Sequence, residues 1–272
     1  MKASLFDTTG KKQKDISLPA QFDEEIRPDL IRRAVHAIQA NTRQQYGALY
    51  KAGQRQSAKL SRKRRDYKAS YGIGISRAPR KTIWNRGTQF GWIGAVAPHT
   101  VGGRRAHPPK SWAIYAQKIN TKENKKAIRS ALAATLDKNL VKKHGHLFTE
   151  LPSVMDSKIE AFAKTKQVID LMTKLGLENE LARLQIKKIR PGRGKLRNRP
   201  YRRKVGPLFV VSGKCSLYKA ASNIPGVEVC VVNNLNAHLL APGTEPGRLT
   251  IYTEKALEKM DKEKLFLVKE TK

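Results

Sequence analysis

The chain carries little of what secreted, metal-binding or catalytic proteins usually need. Its two cysteines, Cys215 and Cys230, sit in or beside apolar runs, where a small buried hydrophobe is the ordinary reading and a disulfide framework is not. No run of 18 apolar residues occurs, and the first residues, MKASLFDTTGKKQ, have no apolar core. Neither a membrane span nor a cleaved signal is therefore expected. His144 and His146 follow Lys142 and Lys143 with no Cys or carboxylate at ligand spacing, so no metal site is expected there. The most telling deficit is of acids. Asp66 is the single acid among the 56 residues from Arg55 to Lys110, and none lies between Arg190 and Lys204.

Those two stretches are dense in cations. The first holds 14 Lys or Arg and the second 8 in 15 residues, together 21 of the net +33. Folded against one another they would repel, and a polyanion of matching density relieves that repulsion. Nucleic acid is the expected partner. In the first stretch the candidate RNA-binding cations are Arg55, Lys59, Arg62, Lys63, Arg64, Arg65, Lys68, Arg77, Arg80, Lys81, Arg86, Arg104, Arg105 and Lys110, with Trp84, Trp92 and His107 beside them. In the second they are Arg190, Arg193, Lys195, Arg197, Arg199, Arg202, Arg203 and Lys204, with Tyr201. A single short cluster would be read as a localisation signal or a solvated face. Two runs punctuated by Gly and Pro favour RNA, because Gly lets backbone approach phosphate and Pro lowers the entropy lost on ordering.

Catalytic patterns fail one by one. Val210–Ser216 (VVSGKCS) imitates a phosphate loop, but Leu208 stands where its first glycine belongs and Cys215 where its Ser or Thr belongs. Gly72-Ile73-Gly74 lacks the third glycine and a preceding strand. Neither basic run contains paired carboxylates or a nucleophile beside a base, which an RNA-processing enzyme would need. No catalytic residue and no metal ligand is assigned.

The remaining segments read as a scaffold. Ala3–Asp7 reads as a short strand, and Pro28 opens a helix with Ile31, Val35 and Ile38 on one face, running toward Gly47. Asn120–His144 reads as one helix, with Asn120 and Glu123 as a capping box and a stripe of Ile128, Leu132, Leu136 and Leu140. Ser157–Gly176 reads as another, opened by Ser157 and Glu160. Then come continuous apolar runs, Leu208–Val211, Val227–Val232 and Leu249–Tyr252, typical of strands covered on both faces. Short helices at 216–222 and 236–240 would connect them. A last amphipathic helix spans Glu254–Met260. The fold class is α/β: a single three-layer globular domain with a mainly parallel sheet, plus a long extended basic internal loop. Residues 1–45 and 111–260 form the domain, 46–110 the RNA-threading loop, 188–206 a basic surface loop, and 261–272 a charged tail. The 46–110 segment shows no sustained period, yet its rings interleave with arginines, which fits an arm ordered by stacking and phosphate contacts. Run out and back at about 3.3 Å per residue, it reaches at most roughly 100 Å.

Read together, Arg33–Gly47 (RAVHAIQANTRQQYG), Ala106–Lys110 (AHPPK), Ile128–Thr135 (IRSALAAT), Lys195–Lys204 (KLRNRPYRRK), Leu208–Ser212 (LFVVS) and Ala241–Leu257 (APGTEPGRLTIYTEKAL) resemble the L4 family of large-subunit ribosomal proteins, in its archaeal and eukaryotic branch. The resemblance covers nearly the whole length and rests on the order and spacing of these segments. It implies a structural protein of the cytoplasmic ribosome whose globular domain sits on the outer side of the subunit. Its long loop, here 46–110, would thread ribosomal RNA to line the nascent-peptide exit tunnel, and the second basic run would be a surface loop on the same RNA. It further implies ribosomal RNA, neighbouring ribosomal proteins and, near the loop tip, the nascent peptide as partners. No membrane partner, no homo-oligomer and no cofactor are implied, with structural magnesium entering only through the RNA. The chain stops at Lys272 without the basic extension of eukaryotic members, which favours an archaeal source. The rival readings are a metal-dependent RNA-processing enzyme and a regulatory RNA binder acting outside the ribosome.

Overall fold

A computed structural model describes residues 1–267; the end of the expected charged tail, 268–272, lies outside the described residues. Two compact units are present, Met1–Thr42 with Ala116–Lys272, and Arg43–Tyr115.

The first unit is built on a six-stranded sheet. Its strands are β1 (Lys2–Phe6), β2 (Lys12–Ser17), β5 (Val154–Met155), β8 (Leu208–Val211), β9 (Glu228–Val231) and β10 (Thr250–Thr253). They lie in the order β2-β1-β5-β10-β8-β9, parallel throughout except for the antiparallel β1–β2 hairpin. Successive strand residues point to opposite faces, so each strand feeds two cores. Leu5, Val154, Leu208, Val210 and Tyr252 enter one, whereas Phe6, Met155, Phe209, Val211 and Ile251 enter the other. Helices α1 (Pro28–Asn41), α2 (Thr121–Ala134), α7 (Ala237–Leu240) and α8 (Glu254–Lys262) cover the first face. Helices α3 (Lys138–Lys143), α4 (Thr165–Lys174), α5 (Glu178–Gln185) and α6 (Leu217–Ser222) supply the second. The result is the α/β three-layer arrangement with a mainly parallel sheet, and its double covering explains why the strands lack alternation in sequence.

Three helix readings need correction. The stretch read as one helix over 120–144 is α2 and α3. Thr135 ends α2 because its buried hydroxyl bonds back to the Leu132 carbonyl and meets the Tyr252 hydroxyl, and Asp137 then caps α3 by accepting from the Asn139 amide. Glu123 makes no capping box with Asn120; its carboxylate meets Arg33 at 3.1 Å. The stretch 157–176 is a short 3-10 turn, Ser157–Ala161, followed by α4. Glu160 does not serve as a helix-start group there, because its carboxylate accepts from the Ser212 amide and hydroxyl and the Thr253 hydroxyl, tying the carboxyl ends of β8 and β10 together. Helix α1 ends at Asn41, short of Gly47. At the other end α8 runs two residues past Met260, and Leu265 and Phe266 pack half-buried on the first core, in what reads from sequence as charged tail.

The second unit carries a hairpin the sequence did not disclose. Strands β3 (Arg80–Arg86) and β4 (Gln89–Gly94) pair antiparallel, with a register shift between Thr82 and Trp84. Around them the buried residues are small, Ala69, Ser70, Ala78, Ala95 and Ala97, too few and too small to register as an apolar period. The outgoing and returning legs touch directly: the Ala48 amide donates to the Pro109 carbonyl at 2.9 Å. Beside it, a Cβ on Gly47 would lie 2.3 Å from the Ser111 amide nitrogen, so only glycine fits.

Candidate nucleic-acid interface

The second basic run is a small hairpin. Strands β6 (Lys188–Ile189) and β7 (Tyr201–Arg202) pair antiparallel across a 3-10 turn, Gly192–Arg197, and Asn198 takes the left-handed conformation that returns the chain. Of its expected RNA-binding residues, Arg193, Lys195, Arg197, Arg199, Tyr201, Arg202, Arg203 and Lys204 are exposed and Arg190 is half-buried. Its root is fixed by one half-buried and one buried arginine. Arg183 donates to the Val205 carbonyl and Arg248 to the Gly206 carbonyl, at 2.8 and 2.9 Å.

In the second unit Arg55, Lys59, Arg62, Lys63, Arg64, Arg65, Lys68, Arg77, Trp84, Arg86, Arg105, His107 and Lys110 are exposed, while Arg80, Lys81, Trp92 and Arg104 are half-buried. Cations and rings alternate in space as they do in sequence. Tyr71 lies between the guanidinium groups of Arg64 and Arg77, at 5.5 and 4.8 Å from the ring centre. Phe90 stacks on Trp92 and meets Tyr67 edge-on, with Lys68 5.5 Å from both the Tyr67 and Phe90 rings. Arg80 lies over Trp92. Such platforms suit stacked bases flanked by phosphates.

Sequence reasoning missed a third platform. Tyr46 and Tyr115 lie parallel with ring centres 6.2 Å apart, and Arg43 sits 4.2 Å from the Tyr115 ring centre. The two tyrosines stand at opposite ends of the loop, and only pairing of the legs brings them together. Tyr71 was read as one of the rings interleaved with arginines but not as a site residue; its closeness to both Arg64 and Arg77 has no signature in spacing.

The electrostatic contrast between charged groups is sharp. In the globular unit eleven of the described Lys and Arg are paired with carboxylates, among them Arg129 with Glu24, Arg183 with Glu180, Arg248 with Glu228 and Lys14 with Glu254. Among the described residues, no Lys or Arg from 55 to 110 or from 190 to 204 makes an ion pair. Asp66, itself exposed, is engaged locally, accepting from the Ser61 hydroxyl and the Tyr67 amide, and the Ser61 bond leads in holding its carboxyl below the usual range. The charge of both surfaces is left for an external polyanion.

Comparison with known proteins bears on what that polyanion is. The chain is 46% identical to the large ribosomal subunit protein uL4 of Nanoarchaeum equitans, over 98% of this chain and all of that protein. It is 42% identical to uL4 of Methanococcoides burtonii over 95% of this chain and 97% of the relative. With uL4 of Methanocaldococcus jannaschii the identity is 43%, over 96% and 98%. The model of the ribosomal protein L4/L1 family matches residues 16–263. The chain belongs to the ribosomal protein L4/L1 family. Both basic surfaces and the second unit lie wholly inside the L4/L1 match. Among the described residues no three His, Cys, Asp or Glu side chains come together in a metal-binding group, and no helix is long and apolar enough to cross a membrane.

Proposed function

We propose that the two surfaces of unpaired cations hold ribosomal RNA chiefly by its phosphates, and that the Arg43–Tyr115 unit threads the RNA to line the nascent-peptide exit tunnel. As an L4/L1 member the chain is a structural constituent of the large ribosomal subunit in the cytoplasm, and it is not an enzyme. Its partners are ribosomal RNA and neighbouring large-subunit proteins. The nascent peptide is the further partner in this reading, the chain acts as a single copy, and magnesium enters only with the RNA.

The observation that carries the RNA reading is the segregation of charge. Two surfaces dense in cations, none of which makes an ion pair among the described residues, each suit a polyanion, since every phosphate bound releases condensed counterions. The stacking platforms around Tyr71 and Trp92 add contacts that tolerate any base. Chemical footprinting of large-subunit RNA, with the chain present and with the chain omitted from reconstitution, tests this. Protection of RNA along the exit tunnel and at a separate surface site is expected, and protection confined to one site or absent overturns the reading.

A further inference from the structure

We propose that β9, the edge strand opposite β2, borders a docking groove in which an extended segment of another large-subunit protein, apolar and carrying acidic residues, adds as a seventh strand. The inference rests on the reading of the chain as a large-subunit constituent and assigns it a specific protein contact. β9 stands last in the sheet and, among the described residues, pairs only with β8. Glu228 donates its amide to the Pro207 carbonyl. In a parallel pair this turns the main chain of Glu228 and Cys230 toward β8 and that of Val229 and Val231 outward. Among the described residues the outward groups therefore have no sheet partner. Natural edges are blunted by a lysine, a proline or a bulge, yet β9 reads Glu-Val-Cys-Val and holds an unbroken register with β8.

Beside this edge runs a groove of about 840 Å³. Val229 and Val231, which pack toward the second core, give it an apolar floor, Leu239 borders it from the side of the first core, the half-exposed ring of Tyr218 on α6 forms one wall, and Lys214 and Lys219 stand exposed on the rim. The acid at the groove, Glu228, is already committed: Arg248, itself wholly buried, binds its carboxylate at 2.8 Å and also donates to the Leu239 carbonyl. The charge left on the rim is positive. RNA could meet the two lysines, but phosphates would leave the apolar floor empty and the Val229 main chain unpaired. An extended acidic and apolar peptide satisfies all three features at once, by the strand-addition mode of recognition.

The test uses the full-length chain with photoreactive benzoylphenylalanine in place of Tyr218, recovered in purified large subunits. Irradiation is expected to join it to a peptide of one other subunit protein, identified by mass spectrometry. Val229→Pro removes an outward amide at an edge position where proline is tolerated, and should cut the crosslink at least tenfold while the chain still sediments with the subunit. Lys219→Glu should also reduce it. Crosslinks only to ribosomal RNA, only to a second copy of this chain, or to nothing, in subunits that contain the chain, overturn the proposal alone. A chain that does not sediment with the large subunit overturns the reading beneath it as well.

Discussion

His146 and Glu180 meet at 2.7 Å between Nδ1 and Oε1, with neither side chain exposed to solvent. The Leu147 amide and the Arg183 guanidinium complete the carboxylate's partners, and Arg183 in turn holds the Val205 carbonyl at the root of the second basic hairpin. A buried acid thus orients the base of the second basic hairpin. Burial by itself would raise the Glu180 carboxyl, but the bonds from His146, Arg183 and Leu147 outweigh it and hold the group down at about 2. For a depressed acid the stabilisation is fully present above its ordinary value of 4.5 and is lost as pH falls toward 2. Glu180→Ala should destabilise the globular unit by about 3 kcal/mol by stranding buried partners. Urea unfolding at neutral pH checks the size, and Glu180→Gln should flatten the loss of stability between pH 4.5 and 2.

Unpaired cations on both basic surfaces make binding to ribosomal RNA a counterion-release process. The logarithm of affinity should fall with the logarithm of salt by about 0.7 to 0.9 per phosphate contact. Filter binding of the full chain to large-subunit RNA over a salt series measures it. A nearly flat dependence would remove the case for phosphate-dominated recognition.

Deleting Lys63–Arg104 removes the β3–β4 hairpin and its alanine-lined surroundings while leaving every residue of the six-stranded sheet and its two cores. The shortened chain should keep a single cooperative unfolding transition, since loops are tolerated thermodynamically, and should fail in assembly instead. Loss of the transition would show that the arm supports the core.

Trp84 and Trp92 should report different surroundings. Trp84 is 56% exposed and its indole lies across Gly91 on the facing strand, where a Cβ would come 2.1 Å from Nε1. Trp92 is half-buried beneath Phe90. In single-tryptophan forms of the free protein, Trp84 should emit further to the red than Trp92. Gly91→Ala should displace the indole, and its quenching by acrylamide should rise while the globular unit keeps its stability.

Val96 adopts φ +65, a left-handed conformation that a β-branched residue reaches only at a cost of about 1–3 kcal/mol. The Arg104 amide donates to its carbonyl at 3.0 Å and the Gly103 amide to the nearby Thr100 carbonyl. Val96→Gly should relieve the strain and slow hydrogen exchange at the Arg104 amide. Faster exchange would mean that the valine side chain, not the backbone, holds this turn.

Much of the scaffold was legible along the chain. β8 occupies the residues its apolar run marked, and α6 and α7 fall where short crossovers were needed. β2 and β5 were not legible. β2 is an exposed edge strand of mostly polar residues, KQKDIS, and β5 has only two residues; neither is long or apolar enough to form a pattern. The hairpin β3–β4 was hidden because its packing partners are alanines and cross-strand rings, which produce no period. The two cation-dense stretches were legible as a deficit of acids, and the interleaving of rings with arginines was legible too, but the pairings of Tyr46 with Tyr115 and of Tyr71 with Arg64 and Arg77 were not, since they depend on chain reversals.

The amino-acid order alone determined where the charge lies, which segments can be buried and that an anionic partner must complete the molecule, because composition and period are local sums over neighbouring residues. Tertiary structure decided what each polar group does. It took Glu160 from a helix start to the ends of two strands, sank Glu180 beside His146, ended α2 at Thr135 through Tyr252 and left β9 open at the edge of the sheet. Those outcomes depend on hydrogen bonds between residues far apart in the chain, and the energy of a buried polar group is set by the partner it finds there.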